Sequence, residues 1–147
     1  MGFDLIGKKV GSHRGDTKPV IPVSIVMNGV SYDSLDDYLE ARGLPRNSIK
    51  FSCSNRNWYT IWNYVNFIGA LNEDDFEEGS SNSGHFISEE KSIHIYDCCK
   101  SATENGELDE YFEEECVWAD DDAQKDISDM IDRFLKFCKE SEGFLIL

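Results

Sequence analysis

Between Asp122 and Ser141, apolar side chains recur at Ile127, Met130, Ile131, Phe134, Leu135 and Cys138, a run of three- and four-residue spacings. That pattern draws one wide stripe down a helix of about 122–141. A stripe of this width must be covered, so the helix requires a second layer of structure. Gly143 ends the helix, and FLIL at 144–147 reads as a strand belonging to that layer. At the other end of the chain, FDLIG (3–7) reads as a short strand entering a Lys/Gly/Ser/Arg-rich loop at 8–18. Two terminal strands with helices between them specify an α+β fold: one small domain, several helices packed on a small sheet that includes the N- and C-terminal strands. The chain has 147 residues, nine Phe, six Tyr and three Trp, enough for a core without disulfides or metal.

The interior of the chain is punctuated. PVIPVSIVMNGVSY suggests a hairpin turning at Asn28-Gly29, and Asp33 or Ser34 can cap a short helix over 34–42 with Leu35, Tyr38 and Leu39 on one face. Residues 15–50 thus form a hairpin-and-helix unit. The stretch SNRNWYTIWNYVNF (54–67) predicts a helix over about 56–69, capped by Asn55, with Trp58, Ile61, Trp62, Val65 and Ile68 on one stripe and Tyr59 and Tyr64 off it. EEGSSNSG (77–84) reads as a loop. Ser88 caps a further helix with Glu89 and Glu90 in its first turn and Ile95, Cys99 and Ala102 as its buried line. The acidic segment 103–122 contains Tyr111, Phe112, Val117 and Trp118, which should anchor it.

Charge is the feature that bears most on function. The chain carries a net −15, and it is concentrated: from Asn57 to Gln124, eighteen acids against the two bases Lys91 and Lys100 leave −16. The acids fall in three runs, Glu73–Glu78, Glu107–Glu115 and Asp120–Asp122. A field of one sign repels phosphate and anionic lipid and attracts basic surfaces, which argues against direct nucleic-acid or membrane binding. A small domain needs a net charge of only about 2–8 for solubility, so this surplus invites a use. The start of the chain lacks a secretory apolar core, and Ile6 stands where a myristoylation motif has Ser or Thr. Five cysteines at 53, 98, 99, 116 and 138 lack framework spacing and read as reduced thiols. The expectation is a cytoplasmic protein.

Three stretches carry a family resemblance. MGFDLIG (1–7), the Trp-rich Arg56-Asn57-Trp58 through Trp62, and FLKFCKESEGF (134–144) stand with an Asn82-Ser83-Gly84 turn before the helix from Ser88. Together they resemble a family of small uncharacterised phage and bacterial proteins. Those share an MG(L/F)D(L/I)xG start, a Trp-rich RNxWxxxW segment and a C-terminal helix followed by a Gly-Phe strand. The chain departs from that pattern in its 15–50 unit, in Thr60-Ile61 where Arg-Pro is frequent, in Glu142 where the first of two glycines stands, and in its acidic 103–122 block. The resemblance implies a phage or mobile-element origin, hence a bacterial host cytosol, and a shared scaffold; it implies no reaction.

Two sets of residues are candidate sites. One is an acidic partner-binding face: Glu107, Asp109, Glu110, Glu113, Glu114, Glu115, Asp120 and Asp121, with Tyr111, Phe112 and Trp118 as apolar anchors. It would dock a basic protein surface, such as a nucleic-acid-handling enzyme, and mimic nucleic acid there to inhibit it. The other is a ligand pocket. Arg56 and Asn57 at a helix N-terminus favour an anion, and Asn82 and His85 could approach from their loop; Trp58 and Trp62 one turn apart could bracket a planar group, although the stripe they share with Ile61, Val65 and Ile68 reads first as core. That alternative makes the chain a small-ligand-binding or enzymatic domain. No catalytic signature supports it: GSHRGD is not a phosphate loop, and no Cys-His nucleophile motif is present. His94 and Cys98 at i, i+4 supply only two of the four ligands a structural zinc needs, and no acidic run has EF-hand spacing. No cofactor or metal is expected, and no pattern specifies an oligomeric state. The leading expectation is a non-enzymatic acidic binding protein.

Overall fold

A computed structural model describes residues 2–10, 25–27, 30–32 and 48–147. In chain order the elements are β1 (Gly2–Val10), β2 (Ile25–Met27), β3 (Val30–Tyr32), β4 (Ser48–Ser54), α1 (Asn55–Phe67), α2 (Glu73–Gly79), β5 (His85–Ser88), α3 (Glu89–Glu104), α4 (Glu107–Glu115), α5 (Asp121–Glu140) and β6 (Gly143–Ile146). Four strands form one antiparallel sheet in the order β4-β1-β6-β5, and β2 and β3 pair with each other as a separate hairpin. Five helices on an antiparallel sheet that contains both terminal strands make the described residues a small α+β domain. The Asn28-Gly29 turn and the helix expected over 34–42 lie outside the described residues.

Register explains why the helices gather on one side. Leu5 pairs with Phe51 and with Ile146, Phe3 with Cys53, and Ile87 with Phe144, so these alternate positions share a face. Phe134 of α5 lands edge-on against Phe51 at 5.7 Å and Phe144 at 6.2 Å, joining the C-terminal helix to the sheet. The predicted stripe of α5 is observed: Ile127, Ile131, Phe134, Leu135 and Cys138 are buried and Met130 is half-buried. Asp120 caps it, its carboxylate accepting from the Ala123 N–H at 2.8 Å. In α3, Ser88 caps and Ile95, Cys99 and Ala102 are buried, as their spacing predicts. Ser92 lets α3 approach α5 closely; its hydroxyl is buried and donates to the Cys138 carbonyl.

Several expectations need correction. β1 continues to Val10 rather than giving way to a loop at Lys8. Residues 48–54, which the sequence reading leaves without a strand, form the edge strand β4 beside β1; the alternation of Ile49, Phe51 and Cys53 with Ser and Lys is its signal. Glu73–Gly79 is helical, because Asn72 caps it through the Asp75 N–H and three acids in its first turn complement the helix dipole. His85 opens a strand and does not lie in a loop. The cap of α1 is Ser54, whose hydroxyl accepts from the Asn57 N–H at 3.2 Å; Asn55 is already the first helical residue. α5 stops at Glu140, and Glu142 (φ 58°) and Gly143 (φ 97°) swing the chain into β6. A side chain at Gly143 would stand 2.9 Å from the Ile87 carbonyl oxygen, so that position admits only glycine.

Candidate functional site

α1 organises the surface of interest because three of its sides are covered and one is not. Toward the sheet and α5, Trp58 stacks on Phe3 at 5.5 Å and meets Phe134 edge-on at 5.6 Å. Toward α2, the indole N–H of Trp58 donates to the Gly79 carbonyl at 2.8 Å and that of Trp62 to Phe76 at 3.1 Å. Toward α4, Tyr111 donates its hydroxyl proton to the Thr60 carbonyl at 2.8 Å and packs on Tyr64 and Phe67. Residues 58 and 62 lie on one side of a helix and 60, 64 and 67 on the other. α2 and α4 therefore flank α1, leaving Tyr59, Asn63 and Asn66 exposed between them.

The two flanking helices are the acidic ones. On α4, Asp109, Glu110, Glu113, Glu114 and Glu115 are exposed and Glu107 is half-buried; on α2, Glu73, Asp74, Glu77 and Glu78 are exposed. Asp120 and Asp121 stand exposed at the start of α5. Among the described residues, none of these carboxylates has an ion-pair partner. The exception on α2 is Asp75, 4% exposed, which lies 2.9 Å from His85 Nε2 and 2.8 Å from Lys91 Nζ. Burial pushes the Asp75 carboxyl up, but the hydrogen bonds from Lys91 and His85 and their charges outweigh it, and the net shift is downward. This cluster ties α2 to β5 and α3 as a structural clamp.

Several sequence-predicted site residues occupy other roles. Tyr111 and Phe112 are buried in the core and are not surface anchors; burial also pushes the Tyr111 hydroxyl up. Trp118 remains, 52% exposed beside Val117 at 81%. Trp58 and Trp62 stack on each other at 4.9 Å and are fully buried, so they bracket no ligand. Tyr64, off the apolar stripe, is fully buried as well, because α4 covers a second side of α1. Asn82 donates to the Gly2 carbonyl at 3.2 Å, pinning the start of β1, and His85 is engaged with Asp75. Neither lines the groove where Arg56 and Asn57 stand. That groove, about 830 Å³, runs from these two residues and Trp118 to Met130, Arg133 and Asp126 of α5. Arg56 lays its guanidinium 4.4 Å over the Trp118 ring.

His94 and Cys98 meet at 3.5 Å on α3, and no third ligand joins them: among the described residues no group of three or more His, Cys, Asp or Glu is placed to hold a metal. Burial, reinforced by the Asp4 charge, pushes the Cys53 thiol up to about 12, and burial does the same to Cys99, which leaves neither primed as a nucleophile. Among the described residues no helix is long and apolar enough to cross a membrane. The exposed strip Tyr59, Asn63, Asn66 was not singled out in the sequence. Its signal is the i, i+4, i+7 spacing beside the Trp58–Val65 stripe.

Compared with protein-family models, curated proteins and solved structures, the chain matches none. The phage and bacterial resemblance rests on its motif residues alone.

Proposed function

We propose that this chain is a non-enzymatic binding protein that docks a basic surface of another protein through its acidic helices and competes there with nucleic acid. One observation carries the reading: the exposed carboxylates of α2 and α4 flank the same face of α1 and have no ion-pair partner among the described residues. Unneutralised like charges repel one another and lower stability, a burden that a cationic partner lifts. Both helices are fixed by buried side chains, Phe112 and Tyr111 from α4 and the indole bonds to α2, so the charges are held on a rigid scaffold. Rigid carboxylate rows compete with phosphate for the same lysines and arginines.

The test is affinity capture from a bacterial lysate at low and high salt, read by mass spectrometry, with Glu113→Lys/Glu114→Lys/Glu115→Lys as the comparison. A basic nucleic-acid-handling protein should be retained at low salt, released at high salt, displaced by duplex DNA and lost in the variant. Screening shortens from about 10 Å at 0.1 M to about 3 Å at 1 M salt, which sets the range to scan. Retention of every captured protein by the triple variant would overturn the reading.

A further inference from the structure

Arg56 and Trp118, on the rim of the 830 Å³ groove, also line a second depression of about 280 Å³ with Tyr59, Asn63 and Glu115. Asn63 and Glu115 in turn line a third, of about 300 Å³, that reaches Asn66. The three adjoin in series, forming one trough from the middle of α5, past Trp118, along the uncovered side of α1. Its chemistry is uneven in a useful way. Asp126, Asp129, Asp132 and Glu115 line it against the two bases Arg56 and Arg133, and Arg56 already lies on the Trp118 ring. Beyond Arg56 its α1 wall is neutral: the exposed amides of Asn63 and Asn66 stand on adjacent turns beside exposed Tyr59. Neither amide has a hydrogen-bond partner among the described residues.

We propose that this trough binds an extended, lysine- and arginine-rich peptide segment. The inference rests on the reading of a basic partner given above and specifies which part of that partner is recognised. A carboxamide both donates and accepts, so it matches the C=O and N–H of a peptide unit. An extended segment leaves those groups unpaired; a helix or a folded surface has used them already. The aliphatic stems of lysine and arginine lie along aromatic faces while their charged ends reach outward. Arg56 on Trp118 shows that this ring accepts a guanidinium, and the ring is 52% exposed. Asp126, Asp129 and Glu115 then meet the charged ends. From Tyr59 to Asn66 the wall is about 10 Å long, the length of roughly three extended residues, so a nine-residue peptide overlaps the trough and its flanks.

The probe is a fluorescein-labelled nonapeptide of repeated Gly-Lys-Arg, titrated by anisotropy against the full chain. A second peptide has the same charge with alternate backbone amides methylated. Asn63→Ala/Asn66→Ala should bind the first peptide about tenfold more weakly at unchanged melting temperature, since both residues are exposed and only the amide contacts are lost. The methylated peptide should bind wild type about as weakly. Trp118 is exposed whereas Trp58 and Trp62 are buried, so peptide binding should also shift indole emission, and Trp118→Ala should abolish the shift. Equal binding of both peptides, or equal binding by wild type and the double alanine variant, would overturn the inference by showing that charge alone is read. That result leaves the acidic-face reading standing, because only the triple charge reversal tests it.

Discussion

Gly79→Ala puts the tertiary arrangement of α1 and α2 to its sharpest test. Gly79 is the last residue of α2, and alanine at a helical position ordinarily gains about 1 kcal/mol over glycine. The packing reverses that sign. A methyl group at 79 would stand 2.6 Å from two carbons of the Trp62 ring and 2.7 Å from its nitrogen. The ring has nowhere to go: it is fully buried, stacked on Trp58 at 4.9 Å and bonded to the Phe76 carbonyl. α2 must therefore lift from α1. Overpacking of this kind costs about 1–3 kcal/mol, and loosening the two indole-to-carbonyl bonds adds about 1 kcal/mol each. Against the helical gain, the net expectation is a loss of about 2–4 kcal/mol. For a domain of this size that lowers the melting temperature by roughly 10 °C. Urea unfolding followed by indole fluorescence gives the free energy directly, with the midpoint falling at unchanged slope. Gly69→Ala is an informative comparison, since its site (φ 79°) has nothing within 4 Å and any loss there comes from backbone strain alone. A Gly79→Ala protein as stable as wild type, or more so, would refute the proposed contact of α2 with the Trp helix.

Two further outcomes separate the structure from simpler expectations. Asp75→Asn removes the acceptor shared by Lys91 and His85, and should destabilise by about 2–3 kcal/mol near neutral pH. Because the folded Asp75 carboxyl titrates below its usual value, its contribution is full above the unfolded value of 3.8 and is lost as pH falls through the folded one. Wild type and variant should therefore converge in acid; a difference that grows on acidification would contradict the clamp. At the start of α1, Ser54→Ala should cost about 1 kcal/mol through loss of the cap to the Asn57 N–H. Asn55→Ala should cost less or stabilise, because the buried Asn55 Oδ1 has no hydrogen-bond partner among the described residues. Thermal denaturation of the two variants in parallel decides the order, and a larger loss for Asn55→Ala would return the cap to Asn55.

Period, capping and composition are legible in the sequence. The apolar stripe of α5, the Ser88 cap with its acidic first turn, the β-strand character of both chain ends and the crowding of acids between residues 57 and 124 all follow from local spacing. Each depends on a helix turn or a strand pleat, so neighbours in sequence suffice to reveal it. What covers α1 was not legible there. Tyr64 lies off the apolar stripe yet is fully buried, because α4 arrives from about fifty residues away and sets Tyr111 against it. The same approach turned Tyr111 and Phe112 from surface anchors into core, left Trp118 as the exposed aromatic of that segment, and set the Tyr59–Asn63–Asn66 strip between two acidic helices. The acidic run at 73–79 gave little sign of a helix, since Phe76 is its only apolar side chain; its place comes from indole bonds to carbonyls fourteen and twenty-one residues away. Local periodicity and capping revealed the stripes of α1, α3 and α5 and both terminal strands, and composition the total charge. Long-range contacts decided which side of each helix faces water, because burial depends on what packs there and sequence spacing records only which residues share a side.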